Sequence, residues 1–407
     1  MTRKPEDTSK LRPNVDLRSA REAHGFSQER LAELLQVAPE TVSRWESGRR
    51  PLPVYQERLT AILGRSPVQL GFVTLPEQTP LTVPGLIVPA ANGLALGSQF
   101  DVPPAGRTWH SRVNGSTIKA LEDVTSAYRR MYHTVSAPDL LELVARHLQV
   151  TTHFLKDAPD VAARRQLATT ASETATLAAR FSFFDMGQPD ALPPYLQLAA
   201  QLAREVEDPA LEAVALGHLS FGYRRIGDYR GALEALQGAK RLATGQPTIA
   251  SWAAGLEAMV QAQAGEATVS RTAMDEAEQQ LRAAQHEPPV PWFDYYDAAR
   301  LAGFKGYSYN HLGRPEDAQA ALGEALNDLD GQADKQRACY LADQAVAFAD
   351  QGNIEQAARQ GIQALGLLRE IDYATGIQRI HRLRAKLKDH SHHEAVGELT
   401  EQLLLAS

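Results

Sequence analysis

The 407-residue chain has a single cysteine, Cys339. One thiol excludes an internal disulfide and any zinc site built on paired cysteines, and it fits a reducing cytoplasm. No apolar run reaches the roughly 18–20 residues that a membrane span needs. Met1 to Arg12 are polar and charged, with no apolar stretch behind them, so neither a membrane partner nor a secretory signal is expected. There is no glycine-rich phosphate loop, no His-Glu-x-x-His and no recognisable Ser/His/Asp set; enzymatic activity, metals and cofactors are not expected. His390, His392 and His393 cluster beside Glu394, but their polar flanks read as a solvated loop rather than a metal site.

What is present divides unevenly. Residues 1–65 hold 12 Lys/Arg and 9 Asp/Glu, a balance of +3, whereas the remainder is −10. A basic module on an acidic body is expected where only the small module touches a polyanion. Residues 1–14 read as a flexible arm and 15–65 as a short helical domain. Residues 66–116, with Pro67, Pro76, Pro80, Pro84, Pro89, Pro103 and Pro104, read as a Pro/Gly-rich linker, because proline breaks helices. Residues 117–407 are rich in Ala, Leu, Gln and Glu at helical spacing.

Within the small domain the spacing predicts helices over Val15–His24, Gln28–Leu35, Pro39–Ser47 and Val54–Leu63. Gly25 closes the first, Ser27 caps the second, Pro39 opens the third and Gly48 ends it. Two short helices across the Gln36-Val37-Ala38 break make a helix-turn-helix layout. The string Gly25-Phe26-Ser27-Gln28, Leu31-Ala32, Val37 and Val42-Ser43-Arg44-Trp45-Glu46-Ser47-Gly48 resembles the lambda-repressor/Cro, or xenobiotic-response-element (XRE), type over about 50 residues. Gln36 departs from the glycine frequent at that turn. The resemblance implies a second helix in the major groove. Pro39, Glu40, Thr41, Ser43 and Arg44 would then face base edges, Gln28 a backbone or base edge, and Arg49 and Arg50 phosphates. Val37, Val42, Leu31, Ala32 and Trp45 read as packing residues, and Glu46 as a local salt-bridge or capping partner.

The long region repeats. Gly187, Gly227, Gly265, Gly313 and Gly352 are separated by 40, 38, 48 and 39 residues. Twelve residues after each stands Ala199, Ala239, Ala277, Ala325 or Ala364; seven before, four of five residues are small; four before, four of five are aromatic. Small residues where two helices cross allow a close hairpin, pairing Ser220 with Ala232, Gly306 with Ala318 and Ala345 with Ala357. The pattern resembles the tetratricopeptide (TPR) repeat, best over Leu219–Leu242, Gly306–Leu326 and Ala345–Leu365. The 48-residue step carries an insertion, Pro288-Pro289-Val290-Pro291-Trp292. One or two helices lead the array and Tyr373–Ser407 caps it. Stacked hairpins imply a groove lined by the first helix of each pair. Phe181, Phe184, Phe221, Arg224, Arg225, Tyr307 and Asn310 are the expected ligand contacts there. Gly217, Gly255 and Gly303, ten residues before their hinge glycines, are expected to leave it room.

The expected fold is therefore all-α: a five-helix helix-turn-helix domain, a linker and a TPR-like α-solenoid with a C-terminal cap. The combination resembles bacterial regulators, including peptide-sensing ones. It implies a cytoplasmic homodimer on double-stranded DNA, with a peptide, small molecule or protein as signal in the repeat groove. The alternative is a repeat scaffold for a partner protein, with the helix-turn-helix as tether or protein-binding module.

Overall fold

The computed structural model describes residues 14–35, 37–49, 51, 53–63, 70, 113–288, 290–331, 333–371 and 373–405. The expected arm and linker lie almost wholly outside these. Among the described residues there are helices and no strand, and no helix is long and apolar enough to cross a membrane. The chain forms two compact units, each taken here by itself.

The first unit contains α1 (Val15–Ala23), α2 (Gln28–Leu35), α3 (Pro39–Glu46) and α4 (Pro53–Leu63). A fifth helix would fall outside the described residues. Apolar residues at helical spacing gather Leu17, Leu31, Leu35, Val42, Trp45 and Leu59 into one core. The helix ends follow from their caps. Asn14 Oδ1 accepts from the Leu17 N–H at 2.9 Å, and Ser27 Oγ from the Arg30 N–H at 3.1 Å. Gly25 and Gly48 turn the chain at φ of 68° and 106°, a region that costs a residue with a Cβ.

The second unit begins with α5 (Gly115–Met131) and α6 (Ala137–Lys156). Five hairpins follow. They are α7 (Val161–Arg180) with α8 (Leu192–Glu205), α9 (Pro209–Arg225) with α10 (Tyr229–Leu242), and α11 (Pro247–Gln263) with α12 (Ala267–Ala284). Then come α13 (Ala298–His311) with α14 (Pro315–Asp328), and α15 (Asp334–Asp350) with α16 (Ile354–Glu370). A π-helical turn, Phe181–Asp185, extends α7. α17 (Ala374–Lys386) and α18 (Glu394–Leu405) stand where the cap is expected.

The hinge glycines all adopt left-handed φ, from 64° to 83°. The five alanines twelve residues beyond them are 0% exposed. They sit where the two helices of a hairpin meet: Ser172 Oγ donates to the Ala199 carbonyl at 2.9 Å, and Ser251 Oγ to that of Ala277 at 2.7 Å. The crossing holds even in the hairpin around Gly265, whose pattern is weak, because Ser270 Oγ donates to the Ala258 carbonyl at 2.8 Å. At Gly306 the tight neighbour is Leu322 rather than Ala318. The glycines ten residues before the hinges do not leave open space. A Cβ on Gly217 would fall within 3 Å of the Trp252 ring, and one on Gly303 within 3 Å of Tyr340. The first helix of the next hairpin fills each gap with an aromatic ring. The residues that follow the Pro-rich insertion pack inward: Phe293 meets Trp252 at 5.4 Å, and Tyr296 meets Phe304 at 5.9 Å.

Candidate nucleic-acid interface

α3 is two-faced. Val42, Trp45 and Glu46 are buried; Pro39, Glu40 and Arg44 are exposed; Thr41 and Ser43 are half-buried. Trp45 anchors the inner face against Tyr55, ring centroids 5.3 Å apart. Pro39 occupies the first turn behind an extended Ala38, where its missing N–H costs nothing. Arg44 and Arg49 are both exposed, and the Arg49 N–H donates to the Arg44 carbonyl at 3.0 Å. Arg50 and Gln36 lie outside the described residues.

One carboxylate ties three helices together. Glu46 is only 7% exposed. Its Oε1 accepts from Arg21 Nε at 2.6 Å, and its Oε2 accepts from Arg21 Nη2 at 3.2 Å and from Gln28 Nε2 at 2.7 Å. Arg21 also donates to the Phe26 carbonyl at 2.8 Å, pinning the α1–α2 turn. The Asn14 N–H donates to the Glu46 carbonyl at 2.8 Å. The hydrogen bond with Glu46, outweighing burial, holds the Arg21 guanidinium above its ordinary pKa. Gln28 at the start of α2 is thus fixed through one amide N–H, and its carbonyl and other N–H are left for further partners. A helix N-terminus with a fixed donor beside it suits a phosphate. Arg21 was not foreseen as part of this arrangement.

Of the residues expected to line the repeat groove, Phe181, Tyr307 and Asn310 are buried. Phe181 is 0% exposed and packs on Tyr132 at 4.9 Å: it is core, because the π-helical turn directs it between α5 and α6. Tyr307 is buried against His311, at 4.2 Å, with the Arg379 guanidinium over its ring at 5.3 Å. Asn310 is also buried, and its Nδ2 donates to the Asp343 carbonyl at 2.8 Å; it braces α13 against α15. Phe184 and Phe221 are half-buried and meet edge-on at 4.9 Å. Arg224 is half-buried and Arg225 exposed at the end of α9.

The second unit also has a charged interior. Lys335, at the start of α15, donates to Asp185 and, at 2.6 Å, to the Tyr132 carbonyl; Tyr132 Oη donates to Asp185 at 3.0 Å. Arg379 pairs with Asp343. Arg129 pairs with Glu173 at 2.7 Å and donates to the Pro291 carbonyl at 3.2 Å. Burial pushes the Glu173 carboxyl up to about 7. Burial first, then the Arg180 charge, pushes His218 down to about 3. No group of metal-ligating side chains occurs among the described residues; His392 and His393 are exposed, as a solvated loop requires.

Residues 17–70 match the family model described as Helix-turn-helix. No curated protein matches the chain. Among solved structures, BtubC (BKLC) from P. vanneervenii is similar at 15% identity and a TM-score of 0.40, over 57% of this chain and 91% of that chain.

Proposed function

We propose that the chain is a sequence-specific DNA-binding transcription regulator. The helix-turn-helix match at residues 17–70 supports a DNA-binding regulator in general. The observation that carries the specific reading is α3, whose inner face is locked by Val42, Trp45 and Glu46 while Glu40 and Arg44 stand exposed beside Thr41 and Ser43. In a major groove, Arg44 would grip guanine O6 and N7, and Glu40 would accept from cytosine N4. Gln28, held by Glu46, and Arg49 with Arg50 would contact phosphates and set register. The helix-turn-helix domain is taken as 15–65 and the TPR-like repeat domain as 117–407. A homodimer would place two copies of α3 on half-sites about 34–36 Å apart. The repeat domain then carries dimerisation, signal binding, or both, and the action is cytoplasmic and non-enzymatic.

The test is selection of genomic fragments from the source organism by the purified full chain at moderate salt. Enrichment of a two-fold symmetric site supports the regulator, and the neighbouring genes identify what it controls. Absence of enrichment, together with a protein partner retained by the repeats, would support the scaffold reading instead.

A further inference from the structure

A buried guanidinium is ordinarily matched by a carboxylate. Arg180, in the last turn of α7, is 8% exposed, yet among the described residues it has neither a hydrogen-bond nor an ion-pair partner. Other cations of this interior are matched, Arg129 by Glu173, Lys335 by Asp185 and Arg379 by Asp343. The Arg180 guanidinium instead lies over two rings, Tyr132 at 4.3 Å and Tyr295 at 4.0 Å. Ring contacts of this kind use the face of a guanidinium and leave its edge, with a fork of N–H donors, for other partners. That edge is the geometry that takes a carboxylate through two parallel hydrogen bonds.

Arg180 borders a cavity of about 20 Å³ that also meets Thr176 and Tyr295. The hydroxyl of Tyr295, a wall residue, is buried without a hydrogen-bond partner. A second unsatisfied polar group beside an unmatched cation points to a missing ligand. The other walls are apolar, formed by Leu177, Leu211, Val214 and Trp292. Glu173 also borders the cavity but is engaged by Arg129. Arg129 in turn holds the Pro291 carbonyl, next to the wall residue Trp292.

We propose that this cavity binds the carboxylate of a small organic acid with an apolar tail. Arg180 grips both carboxylate oxygens, Tyr295 donates its hydroxyl, and Trp292 with Leu211 covers the tail. A space of about 20 Å³ admits one water-sized group, so binding of the tail requires the half-buried Trp292 to move outward. The apolar walls and one uncommitted cation disfavour a phosphate. The inference does not depend on DNA binding, because it is read on the chain without DNA.

The full chain is titrated with sodium butyrate, with butyramide and with sodium phosphate at matched ionic strength, by calorimetry and tryptophan fluorescence. Saturable binding of butyrate with quenching of Trp292 is expected, and neither butyramide nor phosphate should compete. Arg180→Lys keeps the charge but loses the fork, and Tyr295→Phe keeps the ring but loses the donor. Each should weaken butyrate about 10- to 100-fold while circular dichroism stays unchanged. The proposal is overturned by absence of saturable butyrate binding, by equal binding of butyramide or phosphate, or by both variants binding as the wild type does.

Discussion

Removing the Glu46 carboxylate should unfold the first unit while leaving the second intact. Glu46→Ala strands Arg21, 7% exposed, without its partner and deprives Gln28 of its anchor. Breaking a buried pair from one side costs about 3–5 kcal/mol, because the remaining charge stays buried. A helical domain of about 50 residues has roughly 2.5–7.5 kcal/mol of stability in total. The substitution therefore consumes most or all of it. Glu46→Gln, which keeps acceptor and shape but not charge, should fall between wild type and Glu46→Ala. The double variant Arg21→Met with Glu46→Leu replaces the pair by apolar packing and should recover most of the stability, but with Gln28 unanchored it should bind DNA more weakly. Hydrogen exchange by mass spectrometry resolves peptides of residues 15–63 from those of the repeats. If protection of 15–63 in Glu46→Ala equals that of the wild type, the hub does not hold these helices together.

Other expectations concern the second unit. Gly303→Ala drives a Cβ into the Tyr340 ring and should cost about 1–3 kcal/mol in urea unfolding. Gly323→Ala, inside α14 with nothing within 4 Å, should stabilise by about 0.4–1 kcal/mol in the same assay; equal effects would refute the account of the filled gaps. His218 is neutral in the fold down to about pH 3, whereas the unfolded imidazole titrates near 6.5. The unfolded state binds more protons between those values, so this stability is complete above 6.5 and is lost as pH falls, by about 1.4 kcal/mol per pH unit. Glu173, raised from 4.5 to about 7, acts oppositely: its contribution is complete below 4.5 and is lost as pH rises through 7. Between pH 5 and 7 the two nearly cancel in the wild type, so the urea midpoint should fall from pH 5 to 7 in His218→Gln and rise in Glu173→Gln. Cys339 is buried, and burial pushes its thiol up to about 11; its reaction with a disulfide reagent should follow opening of α15 rather than reagent concentration.

Much of this was legible in the residues. The face of α3 follows from 3.6-residue spacing and from Pro39 and Gly48 at its ends. The five hinge glycines and five alanines follow from a repeat whose helices must cross closely. What was not legible depended on distant partners. Arg21 and Glu46 are 25 residues apart, and opposite charges at that distance are common in any sequence. Gly217 and Gly303 are small, but whether a gap stays open depends on Trp252 and Tyr340, one helix hairpin further on. The same holds for Phe181, whose orientation is set by a π-helical turn that no spacing announces. Tyr132, Asp185 and Lys335 meet across separations of 150 and 203 residues, beyond what a local pattern encodes.

The most direct measurement is equilibrium binding of the full chain and of Arg44→Ala to the enriched duplex and to a scrambled one, over a series of salt concentrations. The wild type should prefer the enriched duplex by about a thousandfold or more, with affinity falling steeply as salt rises. Arg44→Ala should lose about 10- to 150-fold of that preference, equivalent to roughly 1–3 kcal/mol, while its affinity for the scrambled duplex changes little. Equal preference in the two proteins, or no preference in the wild type, would contradict the reading of α3 as the helix that recognises sequence.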